Sequence, residues 1–369
     1  MGEHSLLSPS SYGRLAHCRA APTMEHDYPG EDTQASREGT AAHAYAYGLM
    51  TGAFVPSVGA LHSETGLEYT QEMADAAQLY ADDIASTLGP QWRDHVRLEQ
   101  RVDLDNLHPE AFGTPDALAV YPKYIYCWDY KFGHMYVDAF ENWQMIGYVS
   151  KFVEALSSDD EMTTRVTLTV VQPRNFHPDG PIRRWTVWAW ELRPYINLLK
   201  GWLAEAMHPD VKATPHPDAC LYCSARPQCV ALRNAAYAVM DYARTKQAVK
   251  LQPHELGIEL GRIQDMEQLL KAYRTGLEEE TEGALRHGVA VPGYTMAPGR
   301  SVLQWNVPPE LLADLGDAIW KPREPITPTQ ARDRKLLAPE LLDAYATRPA
   351  GALKLTRVDH TLAKKVFTS

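Results

Sequence analysis

Nothing in the 369 residues approaches the roughly 20 consecutive apolar positions that a membrane-crossing helix needs, and the opening residues lack the basic-then-apolar order of a secretory leader. A cytoplasmic protein with no membrane partner is expected. Gly-Lys-Ser and Gly-Lys-Thr are both absent, which removes the phosphate-cradling loop of nucleotide-driven motors. No internal repeat or low-complexity tract is present. Basic charge is scarce: 36 Lys and Arg stand against 47 Asp and Glu, for a net charge of -11. This disfavours a protein that coats nucleic acid through bulk electrostatics, but not an enzyme that gathers carboxylates around divalent cations. Cysteine is scarce too. Cys18, Cys127, Cys220, Cys223 and Cys229 are an odd number, unevenly placed, and in a reducing compartment such spacing points to metal rather than to disulfides.

What is present suits a globular chain, with 45% hydrophobic and 22% charged residues, enough for a sizeable core. Residues 38–50, rich in Ala, and 67–87, with apolar positions three and four apart, predict helices. Alternating, aromatic and β-branched stretches predict strands at 95–104, 116–120 and 124–130. A helix over 138–157 with Asp138 as its N-cap comes next, then strands at 164–172 and 184–190. This order predicts an α/β fold, a small mixed sheet covered by helices. Beyond Glu191 the pattern is mostly helical, interrupted at 215–229, with a long helix over 253–287 and a Pro- and Gly-rich boundary over 289–328. The chain divides into a domain over 1–245, a helical segment over 246–290 and an extension over 291–369. From Lys321 onward ten Lys and Arg face five Asp and Glu, which suits a DNA contact or a solvated helical tail equally.

The stretch richest in chemistry is Gly113-Thr114-Pro115-Asp116, followed 13 residues after Asp116 by Asp129-Tyr130-Lys131. Phosphodiester hydrolysis needs divalent cations held by hard oxygen ligands, and two Asp on neighbouring strands at one end of a sheet can supply them. The strand period of two puts Asp129 and Lys131 on one face, where the lysine can orient water or stabilise developing negative charge. Small residues before His43, from Gly39 to Ala42, let an early helix approach the sheet and bring the imidazole to the metal. Gln144 and Tyr148 share one face of the later helix. Glu99 is a weaker candidate for a second metal. Taken singly, each of these has an ordinary structural explanation.

Cys220 and Cys223 followed by Cys229 let three thiolates converge on one centre. Cys18 supplies the fourth if the N-terminus folds back across the domain, whereas Cys127 reads as a small buried hydrophobe. Tetrahedral zinc and a 4Fe-4S cluster are both compatible with four cysteines.

In chain order, His43, Pro115-Asp116, Asp129-Tyr130-Lys131 and Gln144-x-x-x-Tyr148 resemble the signature of RecB-like nucleases, the branch of the PD-(D/E)XK superfamily that includes the CRISPR adaptation exonucleases and AddB. One cysteine ahead of the motifs and three behind them is similar to the iron-sulfur members. The resemblance covers roughly residues 5–240 and implies a restriction-endonuclease-like sheet. It also implies Mg or Mn on His43, Asp116, Asp129 and the Tyr130 carbonyl, with Lys131 catalytic, Gln144 and Tyr148 as the helix motif, and a 4Fe-4S cluster, with zinc the alternative, on Cys18, Cys220, Cys223 and Cys229. The length is similar to that of stand-alone RecB-like phage proteins. That implies DNA as substrate and a single-strand-binding or annealing protein as partner. The expected activity is that of an exonuclease in recombination or repair, with a structure-specific endonuclease and an inactive DNA-binding scaffold as rivals. In the C-terminal extension Trp305, Trp320, Arg332, Arg334 and Lys335 could grip DNA or a partner, or serve only packing and solvation.

Overall fold

The computed structural model describes residues 5–30, 32–52, 55–175, 177–242 and 252–296. Down to Ala284 these belong to one compact unit, and a second unit begins at Leu285. Trp305, Trp320, Arg332, Arg334, Lys335 and the rest of the basic end lie outside the described residues.

Two short helices, α1 (Tyr12–Leu15) and α2 (Ala21–Asp27), precede the longer α3 (Gln34–Thr51) and α4 (Gln71–Leu88). The strands β1 (Val96–Leu98), β2 (Val102–Asp103), β3 (Phe112–Gly113), β4 (Ala117–Tyr121) and β5 (Tyr124–Tyr130) follow. Then come α5 (Trp143–Glu154), α6 (Ser158–Glu161), β6 (Arg165–Val171) and β7 (Ile182–Trp188). The helices α7 (Arg193–Ala206), α8 (Pro217–Cys220), α9 (Val230–Tyr242) and α10 (Pro253–Arg286) complete the described chain. Among the described residues no helix is long and apolar enough to cross a membrane.

The fold is mixed α/β. Five strands in the order β1-β4-β5-β6-β7 form the central sheet, with β2 and β3 a separate pair. The β5–β6 pairing is parallel and the other three are antiparallel, with α5 as the crossover that a parallel pair requires. On β5, Ile125 and Cys127 face a core shared with α5 and α7, while Tyr126, Trp128 and Tyr130 face one shared with α3 and α4. Burial on both faces explains why this strand is apolar at both parities.

Three sequence expectations change. The strand over 95–104 is two strands in two sheets, because Glu99 adopts a left-handed φ of 48° that ends β1. The helix expected from 138 starts at Trp143: Asn142 caps it, its Oδ1 accepting from the Met145 N–H at 3.2 Å. Asp138 instead shapes the preceding loop, accepting from the Phe140 N–H at 3.1 Å. The helix expected from 67 starts at Gln71 under a Thr70 cap, and Glu68 bridges back to Leu61.

The N-terminal segment folds back across α5. A Cβ at Gly147 would lie 2.6 Å from Cε2 of fully buried Tyr12, and one at Gly113 would meet Pro9 at 2.7 Å and Tyr148 at 2.8 Å. This close approach carries the chain on toward Cys18. Gly147→Ala is expected to lower the melting temperature, through overpacking of about 1–3 kcal/mol. At an open helix position the same change would raise stability by up to about 1 kcal/mol, so a rise in melting temperature would contradict the contact.

Candidate functional site

The site lies where β1, β4 and β5 end together. The residue pair Ala117–Trp128 brings Asp116 beside Asp129 in the antiparallel ladder. Asp129 has the parity of Cys127 but sits past the α5 core at the strand end, 2% exposed. Lys131 Nζ lies 2.8 Å from Asp129 Oδ1 and 3.4 Å from Gln144 Oε1, in the first turn of α5. Tyr130 takes part through its backbone, its N–H donating to Asp116 Oδ2 at 2.6 Å, while its ring stacks on Tyr80 with centroids 5.0 Å apart.

His43 arrives from α3. Ala41 and Ala42 are fully buried in the core that α3 and α4 share with the sheet. His43 Nδ1 lies 3.3 Å from Glu99 Oε1 and 3.5 Å from Asp116 Oδ1. Arg174, just past β6, pairs with Glu38 of α3 at 2.6 Å and Glu72 of α4 at 2.8 Å, with its guanidinium over the Phe132 ring. This clamp holds α3 at the site end of the sheet, and sequence reasoning did not identify it. Such a pairing between distant segments leaves no local signal.

The electrostatics are those of a crowded acidic centre. Burial pushes the Asp116 and Asp129 carboxyls up; Glu99 raises Asp116 further and Asp116 raises Asp129, while His43 and Lys131 pull both back. Burial acts to lower Lys131, but Asp129 and Asp116 outweigh it and keep the ammonium protonated. Burial likewise acts to lower His43, and Asp116 and Glu99 overcome it, raising the imidazole to about 9. A folded value above the ordinary 6.5 means that protonated His43 stabilises the metal-free fold fully below pH about 6.5. The contribution, at most about 3 kcal/mol, is lost as pH rises through about 9. Chelator-treated wild type should therefore lose more of its denaturation midpoint between about pH 6 and pH 9.5 than His43→Gln does. Parallel pH profiles would contradict this pairing.

Tyr148 is buried and packed against the Gly113 backbone, one helical turn from Gln144. Buried as it is, it offers no surface to a ligand.

The cysteines form a second centre. Cys18, Cys220, Cys223 and Cys229 line one cavity with Ala21, Met24, Ala213, Ala219 and Leu232. All four are free thiols. The Thr214 N–H points at Cys18 Sγ and the Leu232 N–H at Cys229 Sγ, both at 3.4 Å. Burial raises Cys220 to about 11 and Cys223 to about 12. Cys127 lies apart in the β5 core, fully buried, its thiol pushed well up by burial. Beside the cavity the His17 and His216 rings stack 4.0 Å apart, with Asp218 Oδ2 at 3.7 and 3.6 Å. Near-parallel rings keep their in-plane lone pairs from meeting on one ion, and His216 Nδ1 accepts the Asp218 N–H at 3.2 Å as the cap of α8.

Fold and site together define a mixed α/β protein with a carboxylate, imidazole and lysine centre at one end of its sheet and a four-cysteine cavity. The chain belongs to the family described as Protein of unknown function (DUF2800), which matches residues 4–361.

Proposed function

We propose that this protein is a divalent-cation-dependent deoxyribonuclease of the RecB-like PD-(D/E)XK kind, an exonuclease on DNA ends or single strands in phage recombination or repair. The observation that carries the reading is the meeting of His43, Asp116, Asp129 and Lys131 at one sheet end, with Gln144 beside the lysine. The donor set fits a hard cation: carboxylate oxygens and one imidazole, with buried Asp129 Oδ2 lacking a hydrogen-bond partner. When bound by His43, Asp116, Asp129 and the Tyr130 carbonyl, Mg or Mn supplies Lewis acidity toward the phosphate and a more acidic water.

The protein's own groups do the remaining work. Lys131, kept protonated by Asp129, is no proton acceptor; it donates to a phosphate oxygen and stabilises charge developing there. Gln144 holds the Lys131 ammonium in place. The Tyr130 N–H orients Asp116.

The four-cysteine cavity is read as the place of a 4Fe-4S cluster, on its thiol donors. Its walls are largely apolar and two backbone N–H groups aim at sulfur, a pattern that steadies bound thiolates. Four thiolates suit tetrahedral zinc as well, which is the alternative occupant. The cluster clasps segments about 200 residues apart and takes no part in hydrolysis.

The test is digestion of end-labelled duplex, end-labelled single strand and closed circular plasmid with Mn or Mg, against the chelated protein. Loss of the linear substrates with circles intact supports the exonuclease. Nicked circles would point to a structure-specific endonuclease, and inertness on all three despite bound metal to a DNA-binding scaffold.

A further inference from the structure

The central sheet is covered unequally on the face that meets α3 and α4. Along β5 the side chains on that face are Tyr130, Trp128, Tyr126 and Tyr124, at every second position. Tyr130 and Trp128 are 0% and 1% exposed, Tyr126 is half-buried and Tyr124 is 51% exposed. The two helices close the rows nearest Asp129 and leave the far end of the sheet open. Cross-strand register sets what stands there. Tyr121, Tyr124, Arg165 and Trp188 form one row across β4, β5, β6 and β7, and Ala119, Tyr126, Thr167 and Thr186 form the row behind it.

Strand alternation sends the aliphatic neighbours of these residues, Val166 and Val187 among them, into the core under α5 and α7. The open face is left with aromatic rings, hydroxyls and a cation. Neither row contains an acid, in a chain whose net charge is -11. Two carboxylates beside the rows are already engaged: Asp83 holds Arg184 and accepts the Trp128 Nε1–H at 2.9 Å, and Asp160 pairs with Lys123 at 2.9 Å. Arg165 makes no ion pair among the described residues, and its guanidinium lies over the Trp188 ring, 4.1 Å from the ring centre. The Tyr124 and Tyr126 rings run near-parallel with centroids 6.1 Å apart, and Tyr126 meets Tyr121 edge-to-face at 6.3 Å. Thr167 and Thr186 share a hydrogen bond of 3.0 Å between their exposed hydroxyls. Unpaired bases stack on such rings while a neighbouring guanidinium meets phosphate or a further base; a duplex keeps its base faces inside and gains only the cation. We propose that this open end of the sheet binds single-stranded nucleic acid, as a second place for the strand about 17 Å along β5 from Asp129 at a rise of about 3.3 Å per residue. The choice of ligand rests on the nuclease reading, whereas the binding itself needs neither metal nor cleavage.

The measurement is fluorescence anisotropy of a labelled oligothymidylate, and of a duplex of the same length, with the chelator-treated full chain. Wild type should prefer the single strand. Tyr124→Ala and Trp188→Ala should each weaken that binding about 5- to 100-fold, the usual effect of removing one stacking ring, and leave duplex binding and circular dichroism unchanged. Tyr124→Phe keeps the ring and should keep the affinity. With Mn present, Tyr124→Ala should raise KM on a long single strand and leave kcat alone, and should not alter hydrolysis of a dinucleotide, which is too short to reach the open face. Equal single-strand affinity in wild type and both alanine variants would overturn the inference, as would a wild type that binds no single strand. A wild-type dimer that Tyr124→Ala splits in sedimentation would give the face to a second copy and overturn it too. Binding that is lost in the variants of a protein that cleaves nothing would sink the nuclease reading alone; cleavage by wild type with unchanged affinity in the variants would sink the second binding place alone.

Discussion

Lys131→Ala is expected to slow DNA cleavage on the order of 100- to 1,000-fold, the usual effect of removing one preorganised donor from a developing negative charge. The geometry separates this role from metal binding. Lys131 Nζ touches Asp129 and Gln144, and neither contact is needed for Asp129 Oδ2 or Asp116 Oδ1 to meet a cation. The variant should bind Mn at least as tightly as wild type, because removing the ammonium leaves a more negative site. Without metal it should be less stable, since Asp129 is 2% exposed and loses its counter-charge. Mn should restore much of that stability but none of the rate. Single-turnover cleavage alongside melting curves with and without Mn checks both halves. A variant that cleaves at the wild-type rate would falsify the assignment.

Cys18→Ser is expected to have the largest effect on stability. Cys18 and the cysteines after it are about 200 residues apart, and clasping a loop of that length removes unfolded-chain entropy of about 5 kcal/mol on the chain-entropy relation. The clasp also holds the N-terminal segment whose Tyr12 fills the space over Gly147, so its loss should loosen α5 from beneath. Anaerobically purified Cys18→Ser should lack the brown iron-sulfur absorbance and melt well below wild type. Cys127→Ala, altering the one cysteine outside the cavity, should keep the colour and lose only packing. If Cys18→Ser kept both colour and melting temperature, the cluster reading would be wrong.

Much of the candidate site was legible because its signals are local. Asp129 and Lys131 are two apart on a strand and share a face in the structure through a 2.8 Å contact. Gln144 and Tyr148 are one helical turn apart, and the Cys220, Cys223 and Cys229 spacing brings three thiols to one cavity. The α/β order was legible from apolar periodicity, and the ends of β5 and of the long α10 fell close to where the pattern put them. Harder to read were positions set by a single backbone torsion or by a partner far along the chain. Alternation over 95–104 gives no hint that Glu99 turns left-handed and ends the strand. Asp138 and Asn142 are both good caps by residue type, and in the structure Asn142 takes the cap while Asp138 shapes the loop before it.

By itself the sequence determined most of the inventory and its local geometry: where the main strands and helices lie, which acid and lysine share a strand face, and which cysteines sit close enough to act together. Periodicity and residue chemistry act over a few positions, and that is as far as they reach. Only the tertiary structure decided which distant groups meet. Sheet pairing brought Asp116 beside Asp129, packing of α3 with α4 and the Arg174 pairs with Glu38 and Glu72 placed His43, and the N-terminal fold-back over Gly147 carried Cys18 to the other three thiols. The turn at Glu99 belongs to the same level, because the stability to hold a strained torsion comes from the packed sheet around it and not from the residues beside it.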